Sequence, residues 1–234
     1  MQSTRSGGVS KPPFSSLNLG RNTDDHSDAV AANTLIFCEA IGITPEQLLC
    51  SAQVHGTEIL IGTEPGNHSG YDAIITNEPG VFPCIFTADC YPLLLHDPQH
   101  HVAAAIHAGW KGTAGMVAMK TIDTMTKKYG TAPERVIATI GAGISGSHYE
   151  VSADIAALFP ATCSEAQSAS PSGKNYLLDL GAANFRQLLE AGLKPEHIER
   201  LPYCTFQHHE LFYSYRRDHG TTGRMAAVTG LRVT

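Results

Sequence analysis

Two apolar runs, Pro92–Leu95 and Val102–Ile106, stand on either side of the polar turn Asp97-Pro98-Gln99-His100. They read as the two strands of an antiparallel hairpin, and any fold open to this chain has to be built around it. The hairpin is flanked by groups that strands do not need: Asp89 and Cys90 before it, His107 and Lys111 after it. With the turn centred between Pro98 and Gln99, Cys90 lies opposite His107. Their Cβ atoms are then expected about 4.5–5.5 Å apart on one face of the sheet. That spacing suits shared metal ligation or a direct thiol–imidazole contact. A one-residue slip would place the two side chains on opposite faces. Gly109 and Gly112, just beyond, let the backbone approach a ligand closely.

Further strands are expected at 49–54, 58–62, 72–76, 81–87, 135–140, 176–179, 198–205 and 225–231. A first helix reads from Ser27 to Ile41, closed by Gly42. Thr44-Pro45-Glu46-Gln47 is a capping box with proline at the first helical position, so a short helix follows it. Other helices are expected at 113–129, 152–159 and 181–191. Consecutive strands in the first half and mixed elements afterwards imply an α+β fold with a mixed sheet. No repeat or long linker divides the chain, and 161–174 reads as a surface loop, so 1–234 is expected to form a single domain.

The net charge of −6 argues against a nucleic-acid or membrane-surface partner, each of which needs a basic face. No apolar run approaches the length of a membrane span, and MQSTRSGGVSKPP has no apolar signal core. A cytoplasmic protein is expected. Its six cysteines lack C-x-x-C pairs and read as reduced thiols, mostly small buried hydrophobes such as Cys38 and Cys84. Cys90, between an acid and Tyr-Pro, does not fit that pattern.

Other candidates are less specific. His55 ends an apolar strand in QVHG, where an ordinary strand-to-turn histidine is the plainer reading. GAGISG, 141–146, matches G-x-G-x-x-G but leads into SHYEV rather than an apolar helix, so it reads as a close turn. The tandem pairs His100-His101 and His208-His209 point to opposite faces and read as solvated. In LFYSYRRDHGTTGRM, aromatics at 212, 213 and 215 interleave with Arg216, Arg217 and Arg224, a pattern able to hold a planar base and an anion. Arg5, beside Gly7 and Gly8, offers a second anion contact.

Together TRSGGVS, SLNLG, QVHG, DAIITNEPG, TADCYPLLLHD, AAIHAGWKGT, IGAGISGSHYEV, CTF and FYSYRRDHGTTGRMA resemble the YfiH-like laccase-domain family, spanning 4–226. That family is also called multicopper polyphenol oxidases and is now regarded as purine nucleoside phosphorylases. The resemblance implies an αββα-type sandwich and a zinc site of His55, Cys90 and His107, which would also be the catalytic residues. Three protein ligands leave a fourth position open, as in catalytic zinc sites. The resemblance further implies phosphorolysis of adenosine, inosine and methylthioadenosine, with an adenosine deaminase side activity that zinc would suit. Purine nucleosides and phosphate are thus the expected partners, with no nucleic acid and no membrane. Substrate contacts are expected from Arg5, Lys111 and Arg216, with Tyr213 or Tyr215 against the base.

Departures from the family pattern lie away from the three ligands. Only Met1-Gln2-Ser3 precede the TR motif, where relatives carry a strand; Thr34 stands where an arginine is usual, and Asp24 where a glycine is. Two rival activities stand beside the phosphorylase. A metal-free thiol hydrolase would need only Cys90 and His107. A copper oxidase, suggested by the older family name, would draw on His-x-His pairs, and no two of the twelve histidines are two residues apart.

Overall fold

Which way each side chain of the hairpin points decides how the layers stack. The computed structural model describes residues 1–166 and 176–233; most of the loop expected at 161–174 lies outside the described residues. Helix α1 (Ser27–Ile41) precedes seven strands: β1 (Leu48–Ala52), β2 (Ile59–Ile61), β3 (Gly66–Ser69), β4 (Ala73–Thr76), β5 (Phe82–Thr87), β6 (Tyr91–Asp97) and β7 (Val102–Ala108). Helices α2 (Trp110–Ala114) and α3 (Val117–Tyr129) lead to β8 (Ile137–Ile140) and β9 (Glu150–Val151). The chain continues through α4 (Ala153–Ala156), β10 (Ser164–Ala166), β11 (Tyr176–Leu178), α5 (Leu180–Glu190), β12 (Ile198–Arg200) and β13 (Met225–Val228).

Two mixed sheets form the body, one ordered β13-β5-β1-β3 and the other β12-β8-β6-β7-β4-β2; β10-β11-β9 make a small third sheet. Successive strand residues face opposite ways, and the core divides accordingly. Ile74, Leu94 and Ala105 of the six-stranded sheet pack against Leu49, Ile85 and Ala227 of the four-stranded one. Their neighbours Ile75, Leu93, Leu95, Ala104 and Ile106 face the other way, onto Ile122 and Met125 of α3 and Leu188 of α5. On the far side, Phe37 and Cys38 of α1 cover Cys50, Cys84, Ala226 and Val228. The layers therefore run α, β, β, α, the sandwich that the resemblance implied, within an α+β fold. Each fully buried Leu or Ile contributes about 1.5–3 kcal/mol by leaving water.

Local chemistry sets the element ends. Gly42 takes φ 71 and its N–H closes α1, a left-handed stop that glycine adopts without strain. The capping box at Thr44 forms, with the Gln47 side chain returning to the Thr44 N–H at 2.9 Å. The helix expected over 113–129 is two helices, because Met116 sits at φ 64 between α2 and α3. The expected helix at 152–159 is the single turn α4, and the strand expected at 198–205 stops at Arg200. β3 has no counterpart in the sequence reading: Gly66-Asn67-His68-Ser69 is a polar edge strand without apolar alternation. Met1 and Ser3 hydrogen-bond to Val228 and Ala226, so the first residues run beside β13 where relatives were expected to carry a strand.

The hairpin register differs from the expected one by two residues. Asp97 pairs with Val102 and Pro92 with His107, which places the turn centre between Gln99 and His100 and makes a four-residue loop. A two-residue loop over Pro98-Gln99 would need positive φ at the turn, which proline cannot take. Asp97 secures the longer loop, accepting from the N–H groups of Gln99 and His100 at 2.9 and 3.2 Å. A slip of two preserves the faces. Cys90 and His107 therefore remain on one side, as diagonal neighbours rather than an opposed pair. Truncation by Ile85→Ala, between the sheets, is expected to cost about 2–5 kcal/mol in urea unfolding, whereas exposed Leu35→Ala should change stability by less than about 0.5 kcal/mol.

Candidate metal centre and its cleft

His107 comes from the end of β7, almost wholly buried, and its ring is fixed by the residue before β4. Asp72, fully buried, accepts from His107 Nδ1 at 2.8 Å and, through its carbonyl, from the His107 N–H at 2.7 Å. With Nδ1 so engaged, Nε2 is the nitrogen left to face the cleft. The same carboxylate accepts three consecutive backbone N–H groups: Val54 at 3.2 Å, His55 at 2.9 Å and Gly56 at 2.6 Å. This wraps the chain after β1 into a turn with His55 at φ 60, a left-handed conformation uncommon outside glycine, though histidine, like asparagine and aspartate, enters it more readily than most. Burial alone would raise the Asp72 pKa; the His107 ring and the N–H groups outweigh it and hold the carboxyl below its ordinary range.

Cys90 is placed by Asp89 in the same manner. Asp89 takes φ 81, accepts from Thr205 Oγ1 and from the Arg216 N–H, both at 2.6 Å, and its carbonyl accepts from the Ile144 N–H. Ring centroids of His55 and His107 lie 4.7 Å apart, edge to face. One ligand atom each from His55, Cys90 and His107 fall within 4.8 Å of one another. Gly109 makes room for them, since a Cβ there would meet Cys90 Sγ at 2.9 Å and His55 Cδ2 at 3.1 Å.

Burial pushes the Cys90 thiol up, but the imidazoles of His107 and His55 dominate and bring it down to about 6. For His107 burial works against the charge, and the facing Cys90 thiolate and Asp72 raise it to about 9. Two imidazoles and a thiolate, with one ring oriented by a carboxylate, are the donor set of a three-coordinate zinc site with an open position. The residues fit such an ion.

The three side chains open into a cleft of about 880 Å³. Arg216 lines it, its guanidinium 4.9 Å from the Tyr149 ring centroid, and so do Tyr149, Tyr215, Trp110 and Arg224. Three expected contacts lie elsewhere. Tyr213 is fully buried and donates to the Phe14 carbonyl at 2.6 Å. Arg5 lies over the Tyr213 ring and spends its guanidinium on the carbonyls of Ser15 and His209. Lys111 is exposed, with Nζ 5.5 Å from the centre of the Trp110 ring. Sequence reasoning missed Asp72 and Tyr149. Asp72 sits in a plain apolar context, DAII, and its partners are mostly backbone groups that leave no spacing to read.

Residues 1–232 match the family model described as multi-copper polyphenol oxidoreductase laccase. The chain belongs to this YfiH laccase-domain family. A purine nucleoside phosphorylase of Deinococcus radiodurans is 44% identical over 97% of this chain and 87% of its own length. Among solved structures, YlmD from Geobacillus stearothermophilus superposes with a TM-score of 0.92 at 34% identity, covering 99% of this chain and 91% of that one. YfiH from Bacillus licheniformis gives a TM-score of 0.93 at 29% identity, with 99% and 91% covered.

Two outcomes follow for the metal centre. Between about pH 6 and pH 9 the metal-free pair is thiolate and imidazolium, and a metal requires a neutral ring, so zinc binding at pH 7.5 should release about one proton. Calorimetric titration in buffers of different ionisation enthalpy measures it. Asp72→Ala should weaken zinc binding about 10–100-fold in chelator competition, and wild-type affinity in that variant would contradict the orienting role.

Proposed function

We propose that the protein is a zinc-dependent purine nucleoside phosphorylase, acting as one laccase-type domain in the cytoplasm. It would cleave adenosine, inosine and methylthioadenosine with phosphate to the free base and the ribose 1-phosphate, with adenosine deamination as a side activity. The observation that carries this reading is the His55–Cys90–His107 cluster at the wall of a cleft of about 880 Å³, within the size range of small-molecule sites. The relatives' phosphorylase names support the same chemistry. All six thiols are free, in keeping with a reducing compartment. No helix among the described residues is long and apolar enough to cross a membrane.

In phosphorolysis the anomeric carbon–nitrogen bond breaks and a carbon–oxygen bond to phosphate forms. One of the two protons of the phosphate monoanion leaves with the purine, and the other stays on the ribose 1-phosphate. A zinc ion held by His55, Cys90 and His107 would supply Lewis acidity at the open side of the site. The chain's own residues bind and orient. Arg216, backed by Tyr149 and tied through its N–H to Asp89, presents a guanidinium to the ribose or the phosphate. Tyr215, more than half exposed at the rim, offers a ring face to the purine.

The thiolate–imidazolium pairing of Cys90 with His107 favours one rival, a metal-free thiol hydrolase. Copper is the rival metal, named in the family description. Incubation with inosine, with and without phosphate, on protein of measured metal content separates them. Phosphate-dependent release of hypoxanthine by zinc protein is expected. Phosphate-independent release would favour the hydrolase, and copper with phenol oxidation the oxidase. Cys90→Ala should abolish both phosphorolysis and deamination; an unimpaired variant would sink the metal-site mechanism.

A further inference from the structure

The cleft holds more positive charge than its carboxylates balance. Its wall includes Arg21, Arg216 and Arg224 against one acid, Asp89, in a chain whose net charge is −6. Both oxygens of Asp89 are already engaged, one by the Thr205 hydroxyl and the other by the Arg216 N–H. Two arginines outside the cleft are ion-paired, Arg186 with Glu190 at 2.6 Å and Arg217 with Asp218 at 2.9 Å. Among the described residues neither Arg216 nor Arg224 forms an ion pair.

Arg224 is the sharper case. Its Nη1 donates to the carbonyls of Thr222 at 2.7 Å and Gly223 at 3.0 Å, while Nε and Nη2 have no acceptor among the described residues. The guanidinium lies 5.6 Å from the Tyr215 ring centroid. Arg224 is half-buried and burial works against its charge; a cation partly withdrawn from water without a counter-charge is destabilised. The chain nevertheless builds a seat for it. Asn18 Oδ1 accepts the N–H groups of both Gly20 and Arg224 at 2.9 Å, and a Cβ on Gly20 would lie 2.6 Å from Arg224 Cγ.

Arg216 is arranged alike, with Nη1 donating to the Glu150 carbonyl at 2.9 Å and no acceptor at Nε or Nη2 among the described residues. Cys90 and Asp89 act electrostatically on Arg224, and likewise on Tyr149, over which Arg216 lies. Both arginines line the same cleft as the His–Cys–His cluster. In each the free Nε and Nη2 are the adjacent pair that grips two oxygens of one tetrahedral anion.

We propose that Arg224, together with Arg216, forms the phosphate subsite of the cleft, in place of Arg5 and Lys111. This assignment rests on the phosphorylase reading. The test uses metal-loaded wild type, Arg224→Gln, Arg224→Lys and, as a surface control, Arg186→Gln. Inorganic phosphate binding is measured by calorimetry, and the KM for phosphate and for inosine by hypoxanthine release. Arg224→Gln should raise the phosphate Kd and KM about tenfold or more, leave the inosine KM within about twofold, and be partly rescued in Arg224→Lys. Should the glutamine variant fold poorly, the lysine variant, which keeps the charge but lacks the fork, decides by its own rise in phosphate KM. Wild-type phosphate binding in both variants overturns the subsite; with phosphorolysis intact, the phosphorylase reading survives. Arg224-dependent phosphate binding without phosphorolysis does the reverse. Binding that depends on Arg224 for inosine 5′-monophosphate but not for inorganic phosphate overturns the proposal in favour of a phosphomonoester site.

Discussion

The two histidines of the candidate metal centre hang from one carboxylate. Asp72 is buried where the four-stranded sheet hands the chain over to the six-stranded one, and it ties three N–H groups after β1 to an imidazole on β7. Without an acceptor there, three part-buried donors would lose their protein partner. With it, a left-handed turn at His55 becomes the low-energy path of the chain, and His55 in that turn and His107 on β7 acquire fixed positions relative to each other. Fold stability and site geometry are the same hydrogen bonds.

This explains which parts of the site could be read in the sequence. Cys90 and His107 were legible because a hairpin has a periodicity, and even a two-residue error in the turn left them on one face. His55 came only through the family resemblance, since its approach to His107 is made by Asp72 and no local spacing reports it. Tyr213 and Tyr215 illustrate the opposite limit. Both belong to the aromatic stretch FYSYRR, yet one hydroxyl is locked to Phe14 in the core and the other ring is exposed at the rim. That choice is made by packing against distant residues.

The layer architecture was legible to a similar depth. Buried strands announced themselves by composition, and Gly42 fixed the C-terminal end of α1. β3 escaped because an edge strand lining a cleft has no apolar face to bury, and its polar side chains, Asn67 and His68, belong to the cleft wall instead. The break at Met116 escaped because a single left-handed residue leaves the apolar side of a helix intact.

Segments far apart in the sequence converge through a second buried acid. Asp89 joins TADC to CTF through Thr205, to SYRR through the Arg216 N–H and to GAGIS through Ile144. Asn18 then joins SLNLG to TGRM, accepting from Gly20 and Arg224. A non-glycine residue at positive φ costs roughly 1–3 kcal/mol unless its surroundings over-determine it, and at Asp89 three partners do so. Cys90 is thereby held in register with Arg216, whose backbone N–H bonds the carboxylate of the residue before it. Cys90 and Arg216 cannot drift apart without breaking bonds to one buried carboxylate, which is how a cleft assembled from loops keeps the geometry of a rigid site.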